Sequence, residues 1–269
     1  MSEAQAERER LRRARGRTIR RVTESLAAPT LIIAVLMLWQ FSRQLLGLSV
    51  FILPTPLEIL ERIATDYKLL AIHSLVTIVE TLAGFVLASV IGVATAFAIF
   101  YSRLFERAVY PLLVAMQTVP KVALAPLLVL YLGYDFAPKC FLAFILAYFP
   151  IVIATVVGLK ALDSTMVNLV RSMGASEWQT FFKLRLPYAL PSIFGGLKVG
   201  ISLAVIGAVI GEYVAAERGL GYLQLQASSQ FDTVLSFAAL VIISVIGVVT
   251  FWALEICEKR VVFQREAAR

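Results

Sequence analysis

The stretch KCFLAFILAYFPIVIATVVGLK, residues 139–160, carries charge only at its two ends, Lys139 and Lys160. The 20 residues between them are uncharged, and a helix needs about 20 predominantly apolar residues to cross the roughly 30 Å hydrocarbon core of a bilayer. A second run, TVLSFAALVIISVIGVVTFWAL at 233–254, places 22 uncharged residues between Asp232 and Glu255. Neither run alternates with the period of an amphipathic helix or strand. Together they predict a polytopic, all-α integral membrane protein. The composition agrees: 59% of the 269 residues are apolar and only 16% charged, against about 25% charged in a soluble domain. The mean hydropathy is +0.83.

Working outward from these runs, the apolar blocks predict six transmembrane helices near 26–48, 71–101, 108–132, 139–159, 192–212 and 234–257. Arg43 interrupts the first and Lys198 the fifth; Lys198 stands close enough to the span's start to snorkel to the surface. The tail before the first span holds eight arginines. With that tail inside, cytoplasmic segments collect 18 of the 25 Lys and Arg, and the outer segments hold five (Arg43, Arg62, Lys68, Lys139, Arg218). Cationic residues accumulate on the cytoplasmic side, so both termini are expected there. The chain thus divides into an Arg-rich tail over 1–25, a transmembrane domain over 26–258 and a short tail over 259–269. The net charge of +7 then belongs to a membrane surface and its lipid headgroups; no module for reading DNA or RNA accompanies it, so no nucleic-acid partner is expected. No Ala-x-Ala site follows the first apolar block, which argues against a cleaved signal peptide. Cys140 and Cys257 fall on opposite sides of the membrane, which excludes a disulfide between them. Neither has metal-ligand spacing, and no metal site is expected.

Two spans carry stripes of small residues every four positions: Gly84, Ala88, Gly92 and Ala96 in the second, Gly196, Gly200, Ala204 and Ala208 in the fifth. Such stripes let helix backbones approach closely where no hydrophobic effect drives association. The outer segment 49–70 holds Leu53-Pro54-Thr55-Pro56 and then a short surface helix with Leu57, Leu60, Ile63 and Ala64 on one face. The third span contains Pro111, Pro120 and Pro126, of which the last two break backbone hydrogen bonds at mid-membrane. Gln117 and Lys121 flank Pro120 four residues apart and are expected on one helix face.

Ionisable or strongly polar residues inside spans are costly and usually face protein or water. Glu80, Gln117, Lys121 and Glu212 are therefore the candidates for a translocation pathway. Lys121 either neutralises an anionic cargo in passing or is a structural lysine, paired to Glu80 or to carbonyls freed by Pro120. Glu212 reads as an outer-gate or folding residue ahead of a cargo contact. His73 has no His or Cys partner at ligand spacing and reads as an interfacial residue.

The longest cytoplasmic connection, 160–191, is no simple linker. Asp163 and Ser164 can cap a helix through Met166, Leu169, Val170 and Met173. Gly174 breaks it, and Ala175-Ser176-Glu177 starts a second helix with Trp178, Phe181, Phe182 and Leu184. Leu186-Pro187 and Pro191 are expected to stop that helix. The product is a helix-turn-helix with an exposed apolar and aromatic face, which normally marks a protein contact.

At these residues the chain resembles the permease subunits of binding-protein-dependent ABC importers. Their cytoplasmic motif runs Glu-Ala-Ala, three residues, Gly, nine residues, Ile-x-Leu-Pro. Here Gly174 is followed by nine residues and then Leu184-Arg185-Leu186-Pro187, while Asn168, Leu169 and Val170 stand where the family has Glu-Ala-Ala. Further segments resemble the nitrate/sulfonate/taurine branch: Arg171-Ser172-Met173-Gly174-Ala175-Ser176, Leu186-Pro187-Tyr188-Ala189-Leu190-Pro191, Gly211-Glu212-Tyr213, Gly219-Leu220-Gly221-Tyr222, and Pro120-Lys121-Val122-Ala123-Leu124-Ala125-Pro126-Leu127.

The resemblance implies the type I ABC importer permease fold in a bacterial cytoplasmic (inner) membrane. It implies a homodimer forming the pathway for a small polar solute, anionic or heterocyclic, delivered by an extracytoplasmic substrate-binding protein. Cytoplasmic ABC ATPase subunits would dock on the loop through Asn168, Arg171, Gly174, Ala175, Trp178, Phe181, Phe182, Leu186 and Pro187. ATP and Mg would be bound by that ATPase, with no cofactor and no catalytic residue in this chain; the Gly174 region lacks the Lys-Ser/Thr of a phosphate-binding loop. A secondary transporter or channel without an ATPase would instead show paired charges or an inverted repeat near the midplane. A membrane-embedded enzyme would need clustered His, Asp or Glu at one depth, and this chain has a single His and scattered carboxylates.

Overall fold

The structure, a computed structural model, describes residues 30–47 and 49–266. The Arg-rich tail lies outside the described residues, whose regular structure is all helical. The order is α1 (Thr30–Leu46), α2 (Pro56–Thr65), α3 (Tyr67–Tyr101), α4 (Arg103–Met116), a 3-10 turn (Lys121–Leu124) and α5 (Ala125–Leu132). Then come α6 (Phe136–Lys160), α7 (Ser164–Ser172), α8 (Glu177–Thr180), a π-helical turn (Phe181–Arg185), α9 (Leu186–Ala215), α10 (Leu220–Ser229) and α11 (Thr233–Glu266).

Four helices are long and apolar enough to span a membrane: α3, α6, the continuous helix from Glu177 to Val214, and α11. Together α4 and α5 make a fifth such unit bent by 87°, and α1 is a shorter apolar helix. The six apolar stretches of the sequence thus each reappear, with two corrections of shape. The third is not one straight helix over 108–132. Pro120 has no N–H to donate and disfavours helical geometry in the residue before it, so the chain leaves α4 at Gln117 and re-forms a helix at Ala125-Pro126 in a new direction. In the second correction, Leu186-Pro187 and Pro191 do not stop the helix after Gly174. The backbone widens into a π-helical turn in which the Leu186 N–H reaches back to the Phe181 carbonyl, and it continues unbroken into α9. A wider turn gives room for Pro187, whose ring would otherwise press on the carbonyl four residues earlier.

The bundle is organised around α6, which packs against both α9 and α3. Both small-residue stripes face it. A Cβ on Gly84 would stand 2.5 Å from Ala143 Cβ, and one on Gly196 would stand 2.6 Å from Ala154 Cβ; Ala88, Ala96, Ala204 and Ala208 are fully buried. Gly92 and Gly200 lie over Ile151 of α6 in the same way. We expect Gly196→Val to destabilise the protein by about 1–3 kcal/mol through overpacking, read as a lower melting temperature in detergent. An unchanged melting curve would show that the α6–α9 contact yields more than its geometry allows.

The bundle has two ends. One carries α7 and α8. The other carries α2, α10 and the α5–α6 turn, where Arg62 of α2 bridges Asp66 and Asp232 at 2.8 Å each and Arg43 of α1 pairs with Glu58 of α2 at 2.5 Å. Thr55 and Glu58 cap α2 reciprocally ahead of Pro56, a strong local start signal. Within α2 the buried residue is Ile59, while Leu57 and Leu60 are exposed. At 35 residues, α3 is about 52 Å long at 1.5 Å per residue, so it projects past any bilayer core. Cys140 and Cys257 remain free thiols.

Candidate functional site

Three places gather the residues singled out in the sequence. The first is the α7–α8 turn. Asp163 caps α7 by accepting from the Thr165 N–H at 3.0 Å, and that bond holds its carboxyl below the usual carboxylate range, so the cap stays ionised near neutrality. Gly174 has φ +87°. Its N–H donates to the Arg171 carbonyl at 2.9 Å and the Ala175 N–H to the Val170 carbonyl at 3.3 Å, the paired bonds of a Schellman stop. Two residues later Ser176 and Gln179 form a reciprocal capping box, and Arg171 makes an ion pair with Glu177 across the turn. This sharp reversal points Trp178 outward at 71% exposure, with Leu169, Met173 and Phe182 also exposed. Asn168 is exposed and Ala175 half-buried.

Phe181 departs from the expected outward face. It is 7% exposed and wedges edge-on against Phe97 of α3, with ring centroids 5.7 Å apart. Beside it Arg185 stacks over Phe100 at 5.1 Å, while Leu186 and Pro187 are half-buried. The turn therefore has an exposed aromatic knob, Trp178 against Phe182 at 4.4 Å, on a short helix that is keyed into α3 and covalently continuous with α9. Lys198, towards the middle of α9, makes an ion pair with Glu258 of α11 rather than reaching freely to the surface.

The second place is the break between α4 and α5. Gln117 closes α4 and Lys121 opens the 3-10 turn, so the two do not share a helix face; the chain turns between them. They are still linked, because Lys121 Nζ donates to the Gln117 backbone carbonyl at 3.1 Å and stands 4.8 Å from the centroid of the Phe149 ring. Lys121 is half-buried. Of the two structural partners weighed for it, Lys121 takes a freed carbonyl, while Glu80 pairs with Lys139.

The third place is at the α10 end. Glu80 is 1% exposed and its Oε1 is held by Lys139 of α6 at 2.9 Å. Three residues earlier on α3, Thr77 donates to Glu212 Oε1 at 2.6 Å. Glu212 Oε2 accepts from the Gly221 N–H at 2.5 Å and Thr77 Oγ1 accepts from the Leu220 N–H at 2.9 Å. Two side chains from α3 and α9 thus cap α10, whose own N-cap residue, Gly219, has no side chain to offer. A carboxylate at a helix N-terminus is favoured by the unpaired N–H groups there. Gly219 sits at φ +119°, and a Cβ on it would overlap the Glu212 carboxylate. His73 is buried, with Nδ1 3.0 Å from the Gly219 N and 2.9 Å from the Gly219 O; its tautomer decides which of the two is the hydrogen bond.

Lys139, Thr77, His73 and Gly219 belong to this cluster although the sequence reading passed over them as site residues. One signal was available. Glu80 falls four residues before Gly84, so the stripe that packs α3 onto α6 continues through it, and Thr77 and His73 lie three and seven residues further back on the same face. An ionisable residue continuing a packing stripe must find a partner on the helix it faces.

Comparison with known proteins fits this architecture. The family described as "Binding-protein-dependent transport system inner membrane component" matches residues 84–263. The formylaminopyrimidine transport permease protein ThiX of Halalkalibacterium halodurans is 38% identical over 84% of this chain and 91% of its own length. The riboflavin transport system permease protein RibX of Chloroflexus aurantiacus is 35% identical over 82% of this chain and 84% of its own. An inward-facing structure of the MetNI methionine ABC transporter superposes with a TM-score of 0.58 and 18% identity, covering 74% of this chain and 97% of that one, a likeness of fold. On the family match and on relatives of this identity and coverage, the chain belongs to the inner-membrane components of binding-protein-dependent transport systems, and is a multi-pass permease subunit of an ABC importer.

Proposed function

We propose that two copies of this chain form the pathway of an ATP-driven importer and that each copy is driven through its α7–α8 turn by a cytoplasmic ABC ATPase, which binds the ATP and Mg. The observation that carries this reading is the continuity of α8, the π-helical turn and α9. A push on Trp178 is delivered to a membrane-spanning helix with no flexible joint between, and helix shifts of this kind are an established means of switching between states. The turn then lies in the cytoplasm, both termini lie there too, and the α10 end faces the side where a substrate-binding protein would deliver cargo. The exposed Leu127, Leu130, Tyr131 and Leu132 of α5 support a second copy packing alongside that helix.

The cargo is a small polar solute. The names of the two relatives, one for a formylaminopyrimidine and one for riboflavin, favour a nitrogen heterocycle over an inorganic anion. Lys121 and Gln117, at the α4–α5 break, are the proposed pathway groups, since a break in a span is where backbone and ammonium can meet passing solute. Co-expression with ABC ATPase subunits of the same organism, followed by pull-down on this chain and ATP-driven uptake into proteoliposomes, tests the assembly; a chain purifying without any ATPase would refute it. In the same vesicles Lys121→Ala should lower uptake several-fold while the ATPase still co-purifies. Unaltered uptake would remove Lys121 from the pathway.

A further inference from the structure

Tyr148 stands at the middle of the 25-residue α6, a depth at which polar groups face protein or water in place of lipid. Other hydroxyls in the spans hide themselves on their own helix. Ser89 of α3 returns its proton to the Phe85 carbonyl at 2.8 Å, and Ser244 of α11 to the Leu240 carbonyl at 2.9 Å. A tyrosine cannot do this, because its ring holds the hydroxyl far from its own backbone. Tyr148 is half-buried and reaches across to α3, where it donates to Thr95 Oγ1 at 3.1 Å. Thr95, also half-buried, passes its own proton to the Ile91 carbonyl at 2.8 Å. The chain of donors begins at Tyr148 Oη, which accepts no hydrogen bond from the described residues and keeps an acceptor position open.

The surroundings of this hydroxyl are aromatic and then cationic. Phe141, Phe144 and Tyr148 follow one another along one face of α6, with ring centroids 5.6 and 5.4 Å apart. Phe149, 5.3 Å beyond Tyr148, has the Lys121 ammonium 4.8 Å from its centroid. The row therefore begins near the α10 end of the helix and ends at the α4–α5 break. A face that leaves a hydroxyl half-open at mid-membrane is unsuited to lipid. In a pathway made by two copies, the water-filled space lies against faces that each copy leaves open.

From this geometry we infer that the α3–α6 face bearing Thr95 and Tyr148 lines the aqueous pathway, with Tyr148 Oη accepting a hydrogen bond from the passing polar solute one ring away from Lys121. The inference rests on the two-copy pathway proposed above and adds a second wall to the α4–α5 break.

The test uses the full-length permease in lipid nanodiscs, which admit reagent from both sides, with Cys140→Ala and Cys257→Ser removing the two native thiols. The probe is a charged, water-borne thiol reagent, trimethylammonioethyl methanethiosulfonate, which attacks thiolates and so spares a cysteine in hydrocarbon. Thr95→Cys and Tyr148→Cys should be labelled about tenfold faster or more than Val245→Cys, a position in the apolar part of α11 that is exposed like its neighbours Val248 and Val249. Melting checks each fold, and if Tyr148→Cys fails to fold, the conservative Thr95→Cys decides. Labelling no faster than at Val245→Cys would overturn the inference. Oxidative cross-linking of Thr95→Cys between copies without labelling would overturn it too, since the face is then a packed seam. Neither ATPase nor cargo is needed, and the mass of each disc counts its copies. Discs with two copies and an unlabelled Thr95→Cys sink this wall alone; discs that never hold two copies sink the two-copy pathway and this wall with it.

Discussion

Replacing Trp178 with alanine is expected to abolish most ATP-driven uptake while leaving the permease as stable as before. Trp178 is largely exposed and touches only Phe182 among the aromatic rings near it, so truncation removes little that holds this chain together. An exposed Trp on a rigid, doubly capped turn has the character of an interface anchor, and truncating such anchors costs about 2 kcal/mol or more of binding. That is roughly a thirtyfold loss of ATPase affinity, read by titrating the ATPase onto permease in nanodiscs. Phe181→Ala is the contrasting control. It empties a buried wedge against Phe97 and should lower the melting temperature, since deleting a buried Phe costs about 3–5 kcal/mol. Two aromatic residues three apart would then separate into one that binds and one that holds. An ATPase affinity unchanged by Trp178→Ala would remove the turn from the docking surface.

That separation was not legible in the sequence. Trp178, Phe181 and Phe182 read as one exposed face because the second helix was expected to end at Leu186-Pro187, leaving it free of the bundle. A proline normally marks a helix end, and nothing in the letters announces the π-helical turn that admits it. The spans were legible for the opposite reason: a charge-free run of 20 residues has few ways to be soluble, and each apolar block is a local property. Pro120 announced a break but not its 87° angle, which depends on what α5 packs against.

The buried charges show the same limit. Glu80 in a span demanded a cation; the sequence reading weighed only Lys121 for it and left Lys139 among the outer-segment charges. Sequence distance could not rank them, because the bend at Pro120 leaves Lys121 on its own carbonyl while the α3–α6 stripe delivers Lys139. Likewise Gly211-Glu212-Tyr213 and Gly219-Leu220-Gly221-Tyr222 were recognised as segments. That Glu212 caps the helix after Gly219, with Thr77 of α3 as the second cap, is a three-helix arrangement that no local pattern carries.

Lys139→Met should be the most damaging single change to stability among the polar residues. It strands Glu80 as a buried carboxylate with both oxygens unpaired, next to Glu212. Breaking a buried pair by removing one partner costs about 3–5 kcal/mol, enough to lower both yield and melting temperature. The pair itself earns much less than that, since desolvating two charges offsets most of their attraction. The double variant Lys139→Met, Glu80→Met should therefore recover most of the lost stability, and a double-mutant cycle on melting in detergent measures the coupling. If Lys139→Met melts like the unaltered protein, the 2.9 Å contact is not a buried ion pair in the membrane.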